Sequence, residues 1–551
     1  MEQSRLLLAI VLSLVIFLAW QFYEAQRHPE KKAEPTAVEK KQAVKETEKP
    51  YKEAVETPAP AEKAVVEEAA PKVAATITVD TPLYQAKISE NGAVFYSFLL
   101  KKYREKVKKD APLKQILTDN QTLGVGRLGF SGKSIAGLEK AVFSVNLPSR
   151  KLDVNDSPRN LTFRWRSQDG IVIEKTYKFA PDNYAIGMAV SIKNGSGSAI
   201  QDRLFVALNS NAPHGKRRYA FEGPSALIND KLEEIKTKKL KDQNTFDGKI
   251  KWVALQSRYF MSGLIPDEVE EASLYLALNS EKFLTARYRQ PEKTIQPGTE
   301  YAYKYQLFMG PKKIQDLKNI GNDLNKVVNF GWFDFIAKPC LWLMNLFYSV
   351  IPNYGVAIII LTILVKILLW PLGQKSYKSM SEMKKLQPLM KEIREKYKDD
   401  KQRMNQEVMG LYRTYKINPL GGCLPMVVQL PVFFALYRML YEAIELRHAP
   451  FLLWINDLSA PDRLFRFNFS VPFMEPPYGI PVLTLVMGAS MLLQQKMSPP
   501  MGDATQAKMM MFMPIIFTVI FINFSSGLVL YWLVNNILSI AQQYYTQKKY
   551  A

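Results

Sequence analysis

The stretch Tyr354-Gly-Val-Ala-Ile-Ile-Ile-Leu-Thr-Ile-Leu-Val-Lys-Ile-Leu-Leu-Trp-Pro-Leu372 is aliphatic almost throughout, and its one charge, Lys366, has only aliphatic neighbours within three positions. As a helix, Gly355–Leu372 is about 27 Å long, close to the thickness of a bilayer core. A lysine at the centre of such a helix costs roughly 2.5 to 3.5 kcal/mol on insertion scales, so it faces water, a partner charge or a substrate. Thr362, one turn earlier, shares its face. Snorkelling to the interface is the plain alternative, weakened by the distance of about 9 Å that separates Lys366 from Leu372.

The segment after this run, Gly373 to Asn418, carries 12 Lys or Arg against 6 acids, which predicts a cytoplasmic loop by the positive-inside rule. Met383, Leu386, Met390, Ile393 and Tyr397 are spaced three, four, three, four, and Met404, Val408, Leu411 and Tyr415 resume the seam after Asp399-Asp400. Two amphipathic helices turning at the aspartates, the first kinked by Pro388, form a hairpin in that reading. A solvated basic loop on lipid headgroups is the other. Further apolar runs predict spans at Gly421–Leu440, Gly479–Gln495, Met509–Phe524 and Leu528–Gln542, with Ser525-Ser526-Gly527 as an outer turn. Polar residues recur inside them, among them Gln429, Ser490, Asn523, Asn535 and Asn536. With Thr362 and Lys366 they suggest a hydrated cavity, although taken singly each also serves as interhelical packing. Methionines crowd the fourth and fifth spans, as in adaptable apolar surfaces or plain core filling.

Leu6–Phe22 predicts a first span with an aromatic belt at Trp20, Phe22 and Tyr23. No small-x-small site follows it, which favours an uncleaved anchor over a cleaved signal. Pro29–Ala75 lacks Leu, Ile, Phe, Met and Trp and reads as a disordered tether. From Thr76 to Gly310 the period becomes two, as in Leu161-Thr-Phe163-Arg-Trp165 and Tyr184-Ala-Ile186-Gly-Met188-Ala-Val190, punctuated by Asn91-Gly92, Asp169-Gly170 and Asn194-Gly195. This predicts a large antiparallel β-sandwich outside the membrane. Pro311–Val328 is expected as a linking helix, and Gly331–Tyr348, broken by Pro339 and stopped by Pro352, as an interfacial helix, with a full span as the alternative.

The expected layout is therefore a polytopic α-helical membrane protein plus a large antiparallel β-sandwich outside the membrane, which the resemblance described below makes periplasmic. Its parts are 1–23 (anchor), 24–75 (linker), 76–310 (sandwich), 311–352 (linker and interfacial helices), 353–372 (second span), 373–418 (hairpin) and 419–551 (remaining spans and basic tail). Six spans put both termini in the cytoplasm, where Lys548-Lys549 fits. The net charge of +21 across 551 residues points to anionic headgroups and acidic segments of membrane proteins rather than to nucleic acid, for which no motif stands out. Two cysteines, Cys340 and Cys423, exclude a disulfide framework, and His28, His214 and His448 lack neighbouring ligands, so neither a metal nor a cofactor is expected. No carboxylate pair or Ser/His/Asp set argues for an enzyme, and the sandwich reads as a scaffold or docking domain. A secondary transporter would also use an intramembrane cation, but it calls for internal repeats, which are missing.

Specific motifs carry a resemblance. Asn418-Pro-Leu-Gly-Gly-Cys-Leu-Pro-Met-Val-Val-Gln-Leu-Pro-Val-Phe-Phe-Ala-Leu-Tyr437, Gln495-Lys-Met-Ser-Pro499, Phe512-Met-Pro514, Ser526-Gly-Leu-Val-Leu-Tyr531, Leu386-Gln-Pro388 and Gly331-Trp-Phe resemble the YidC membrane protein insertase family in its Gram-negative form. That resemblance implies a five-helix core around a hydrophilic groove open to the cytoplasm and to lipid. The groove would be lined by Lys366, Thr362, Gln429, Asn523, Tyr531, Trp532 and Asn535. It also implies a hairpin (Met383, Leu386, Pro388, Met390, Ile393, Asp399, Asp400) that recruits ribosomes or nascent membrane proteins, and association with the Sec translocon in the inner-membrane bilayer. The family's groove cation is usually Arg; here it is Lys366, a point charge without the bidentate fork. The usual pair of tyrosines is Tyr531-Trp532, one hydroxyl fewer.

Overall fold

The computed structural model describes residues 74–550 except 109, 121–122, 213–219, 280–282, 416–423 and 499–503. The expected anchor and tether, His28, His214 and Cys423 lie outside the described residues. Alternating burial along the strands builds the first half of the described chain: Ala185–Lys193 and Phe283–Arg289 bury every second residue, which gives each sheet one apolar face. A 13-stranded sheet and a 5-stranded sheet result, antiparallel except where Thr76–Asp80 pairs in parallel with Lys151–Asp153. Phe95, Tyr177, Phe179 and Trp252 are fully buried in the core. Gly92 and Gly170 hold φ of +77° and +85°, the left-handed geometry that suits Asn-Gly and Asp-Gly turns.

Ten helices follow among the described residues: α1 (Ile314–Ile320), α2 (Asp334–Val350), α3 (Tyr354–Leu368), α4 (Trp370–Lys385), α5 (Gln387–Lys396), α6 (Lys401–Thr414), α7 (Leu424–Glu442), α8 (Val482–Met497), α9 (Ala504–Phe521) and α10 (Ser526–Tyr550). Three expectations need correction. The last long strand runs to Pro311, and the helix expected over 311–328 is only the seven residues of α1, because Gly321, Asn322 and Asp323 all take positive φ. Pro339 does not break α2, which runs on to Val350 and stops before Pro352. The run that was expected to be one straight span bends by 64° between α3 and α4. Pro371 lies in the first turn of α4, where its missing N–H costs nothing to α4 but ends the ladder of α3.

Among the described residues, no single helix is long and apolar enough to cross a membrane; only α3 and α4 taken together, as a bent pair, have the length and composition for it. α10 covers the expected sixth span and its tail, yet polar residues interrupt it. Met383 belongs to α4, and a break at Leu386, two residues before Pro388, separates it from α5. Asp400 caps α6 by accepting the Arg403 amide at 3.0 Å, so the aspartate pair does mark the turn between α5 and α6. The Tyr412 hydroxyl reaches the Met390 sulfur at 3.5 Å across them.

The β domain is joined to the helices through polar contacts. Arg258 donates twice to the Tyr441 carbonyl, at 2.8 and 2.6 Å, and its guanidinium stacks 3.7 Å from the Tyr441 ring centroid. Arg447 donates to the Arg104 carbonyl at 2.6 Å and lies over Phe260. Buried Lys312 donates to Gln256 Oε1 at 3.0 Å.

Candidate functional site

The bend after α3 places Lys366 in the last turn of that helix, where a cation also faces the negative end of the helix dipole. Its side chain points into the bundle rather than out to an interface, and Nζ donates to Ser539 Oγ of α10 at 2.7 Å. Ser539 Oγ in turn donates to the Asn535 carbonyl at 2.7 Å. No carboxylate pairs with Lys366 among the described residues. At the bend itself, Gln542 Nε2 donates to the Trp370 carbonyl at 2.9 Å, which ties α10 to the first turn of α4.

A cavity of about 50 Å³ opens beside the ammonium, lined by Lys366, Gly373, Tyr377, Gln429, Asn535 and Gln542 together with Val365, Leu369 and Leu372. A space that size holds a few waters at roughly 10 to 15 Å³ each, and no polypeptide. Lys366, Gln429 and Asn535 thus line one cavity. Tyr531 is buried behind them and bonds Gln429 through its hydroxyl. The other expected groove residues sit elsewhere. Thr362 is buried and donates back to the Ile358 carbonyl at 2.6 Å, so it turns its hydroxyl to its own helix. Trp532 packs among Phe433, Phe517 and Phe521. Asn523 ties the segment before α8, accepting the Glu475 amide at 2.8 Å and donating to the Phe473 carbonyl at 2.8 Å.

Tyr377, Ser539, Gln542 and Gln543 were not anticipated. Asn536, Ser539, Gln542, Gln543 and Thr546 are all buried on α10, a stripe at spacings of three and four. The sequence displays that spacing plainly, but the stripe runs on past Gln542, where the apolar run of the expected span ends. Asn536 donates to Ser490 Oγ of α8 at 3.2 Å, and Gln543 to Ser498 Oγ at 3.4 Å.

The described helices therefore hold one cation against a hydroxyl, beside water-sized space, in a chain that also carries a β-rich domain. A family model described as 60Kd inner membrane protein matches residues 346–551, and one described as YidC periplasmic domain matches residues 76–343. Membrane protein insertase YidC of Syntrophus aciditrophicus is 43% identical over 477 residues, 86% of this chain and 85% of that protein. Its namesake in Syntrophobacter fumaroxidans is 43% identical over 486 residues, 85% of this chain and 86% of the other. A crystal structure of an active YidC insertase with its first transmembrane domain resolved is 19% identical, covers 85% of this chain and 92% of that one, and aligns with a TM-score of 0.37. The chain belongs to the YidC membrane protein insertase family, a family of inner-membrane insertases with a periplasmic domain and no enzymatic activity.

Proposed function

We propose that the chain inserts and folds integral membrane proteins, alone or with the Sec translocon, by holding a polar or acidic segment of the incoming protein against Lys366. The carrying observation is the Lys366 ammonium itself, oriented by Ser539 and bordered by Gln429, Asn535 and Gln542, with no carboxylate of its own among the described residues. A carboxylate brought there replaces a hydroxyl with a counter-ion in a medium of low dielectric. Entry requires the helices around the cavity to part, since the present space holds only water. Partitioning of the substrate's apolar helix into lipid supplies the driving force for release, and no bond is made or broken.

In this reading six spans place both termini in the cytoplasm, the parts follow the boundaries given above, and α5 and α6 form a hairpin that receives ribosomes or nascent chains. Depletion of the resident insertase in a Gram-negative host, complemented with this chain, tests it. Insertion of a short single-span substrate, scored by protease protection, is expected with the unaltered chain and with Lys366→Arg, and is lost with Lys366→Ala and Lys366→Glu. Equal insertion by all four overturns the role of the charge.

A further inference from the structure

The β domain carries a second concentration of cations, remote from Lys366 and unused by the insertion reading. Across neighbouring strands, Ala207 stands opposite Arg127 on one side and opposite Arg287 on the other. The two arginines are therefore about 10 Å apart at the backbone, at about 4.8 Å per strand, with only a methyl group between them. Both line a cavity of about 540 Å³ that Phe205, Asn209, Thr285 and Lys140 also border. That size lies within the range of roughly 300 to 1,000 Å³ typical of small-molecule sites.

The charges in this cavity are poorly balanced. Arg287 lies 4.9 Å from the Phe205 ring centroid and 5.9 Å from that of Tyr275, and has no hydrogen bond or ion pair among the described residues. Arg127 is anchored by donating to the Glu139 carbonyl at 3.0 Å. Arg289, on the same face of the strand, stacks 4.5 Å over Tyr275, and its Nε is buried without a hydrogen-bond partner among the described residues. Burial and the neighbouring Arg287 hold the Arg289 guanidinium below its ordinary range. Glu139 at the exposed rim is the only carboxylate among the described residues that line the cavity. Like charges gathered on one face repel, and guanidiniums held over aromatic rings keep a rigid fork for oxygen acids.

We infer that this cavity is a binding site for a small organic anion, whose carboxylate or phosphate is gripped between Arg127 and Arg287 while its apolar body lies against Phe205. The anion is either a soluble periplasmic metabolite or the headgroup of an anionic lipid.

Titration calorimetry of the full chain in zwitterionic nanodiscs tests this, with phenyl phosphate as probe and benzyl alcohol as its neutral counterpart. Phenyl phosphate is expected to bind at about 1 mM or below, and benzyl alcohol to give no heat. Arg287→Met and Arg127→Met each weaken binding about tenfold or more, and Arg287→Lys restores part of it. Ala207→Leu keeps both charges, fills the floor and blocks the probe. A thermal unfolding midpoint close to that of the unaltered chain shows that each variant is folded. Nanodiscs that contain phosphatidylglycerol distinguish the sources: competition with the probe identifies a lipid headgroup, and its absence a soluble anion. Equal binding of benzyl alcohol, no binding of phenyl phosphate to the folded chain, or unchanged affinity in Ala207→Leu and both Met variants overturns the site.

Discussion

Lys175 and Lys366 are both enclosed, one in the β domain and one among the helices, and their surroundings differ. Lys175 in the β domain is fully buried, and its ammonium donates to three backbone carbonyls: Gly92 at 3.2 Å, Ala93 at 2.7 Å, and Gly126. Tyr177 adds a further donor to Ala93, and the Lys175 ammonium lies 5.3 Å from the Tyr177 ring centroid. Among the described residues, Lys366 in the helices has a single hydrogen-bond partner, Ser539 Oγ, and open space beside it. Three acceptors satisfy all three donors of an ammonium and leave nothing to offer a ligand, so Lys175 is structural. One hydroxyl leaves two donors for something that arrives. A buried cation thus indicates function by the acceptors it lacks, more than by its depth.

Exchanging each lysine for methionine puts that comparison at risk. Lys175→Met strips a donor from three buried carbonyls and is expected to cost about 3 kcal/mol or more, a drop of about 6 to 12 °C in the midpoint of the β domain. Lys366→Met should leave thermal unfolding nearly unchanged and abolish insertion of a substrate with an acidic tail. If the stability losses come out equal, the distinction fails.

A smaller effect belongs to Ser539→Ala, which removes the one partner of Lys366 among the described residues. About 1 kcal/mol of stability is expected to go, and insertion to fall a few-fold rather than vanish, because the charge remains. Arg258→Ala, at the joint with Tyr441, should raise hydrogen exchange around 441–447 while leaving the exchange of the β core untouched. If exchange rises through the β core as well, Arg258 is part of that core rather than of a joint.

The least of these effects is in pH. Burial, with the nearby Arg127 adding to it, holds the Lys175 ammonium well below the ordinary lysine range. The unfolded chain therefore binds more protons between the native and the ordinary value, and stability rises with pH across that window. The penalty of Lys175→Met should grow as the pH rises toward the ordinary lysine value of about 10. A penalty that is flat in pH removes the linkage.

Much of this was legible from residue patterns. Period-two runs became strands, Asp399-Asp400 became the turn before α6, and Lys366 stood out because any charge in an aliphatic run does. Lys175 is less conspicuous in the sequence, although the alternation of Val172–Phe179 places it on the inward face with Ile173, Tyr177 and Phe179. Its burial depends on strands that are distant in sequence, which place three carbonyls around it. Thr362 illustrates the converse: its spacing put it on the face of Lys366, but a threonine inside a helix can bond its own carbonyl four residues back, and this one does.

By itself the sequence determined the division into a β half and a helical half, the isolation of Lys366 and the family motifs, since each depends on local period, composition or identity. The tertiary structure alone decided that α3 bends before α4, that Ser539 and Gln542 meet the bend, and that Asn523 and Trp532 leave the cavity. It also decided that Arg127 and Arg287 flank Ala207. These depend on which helix or strand lies beside which, and the free energy of such long-range packing is absent from any one segment read alone.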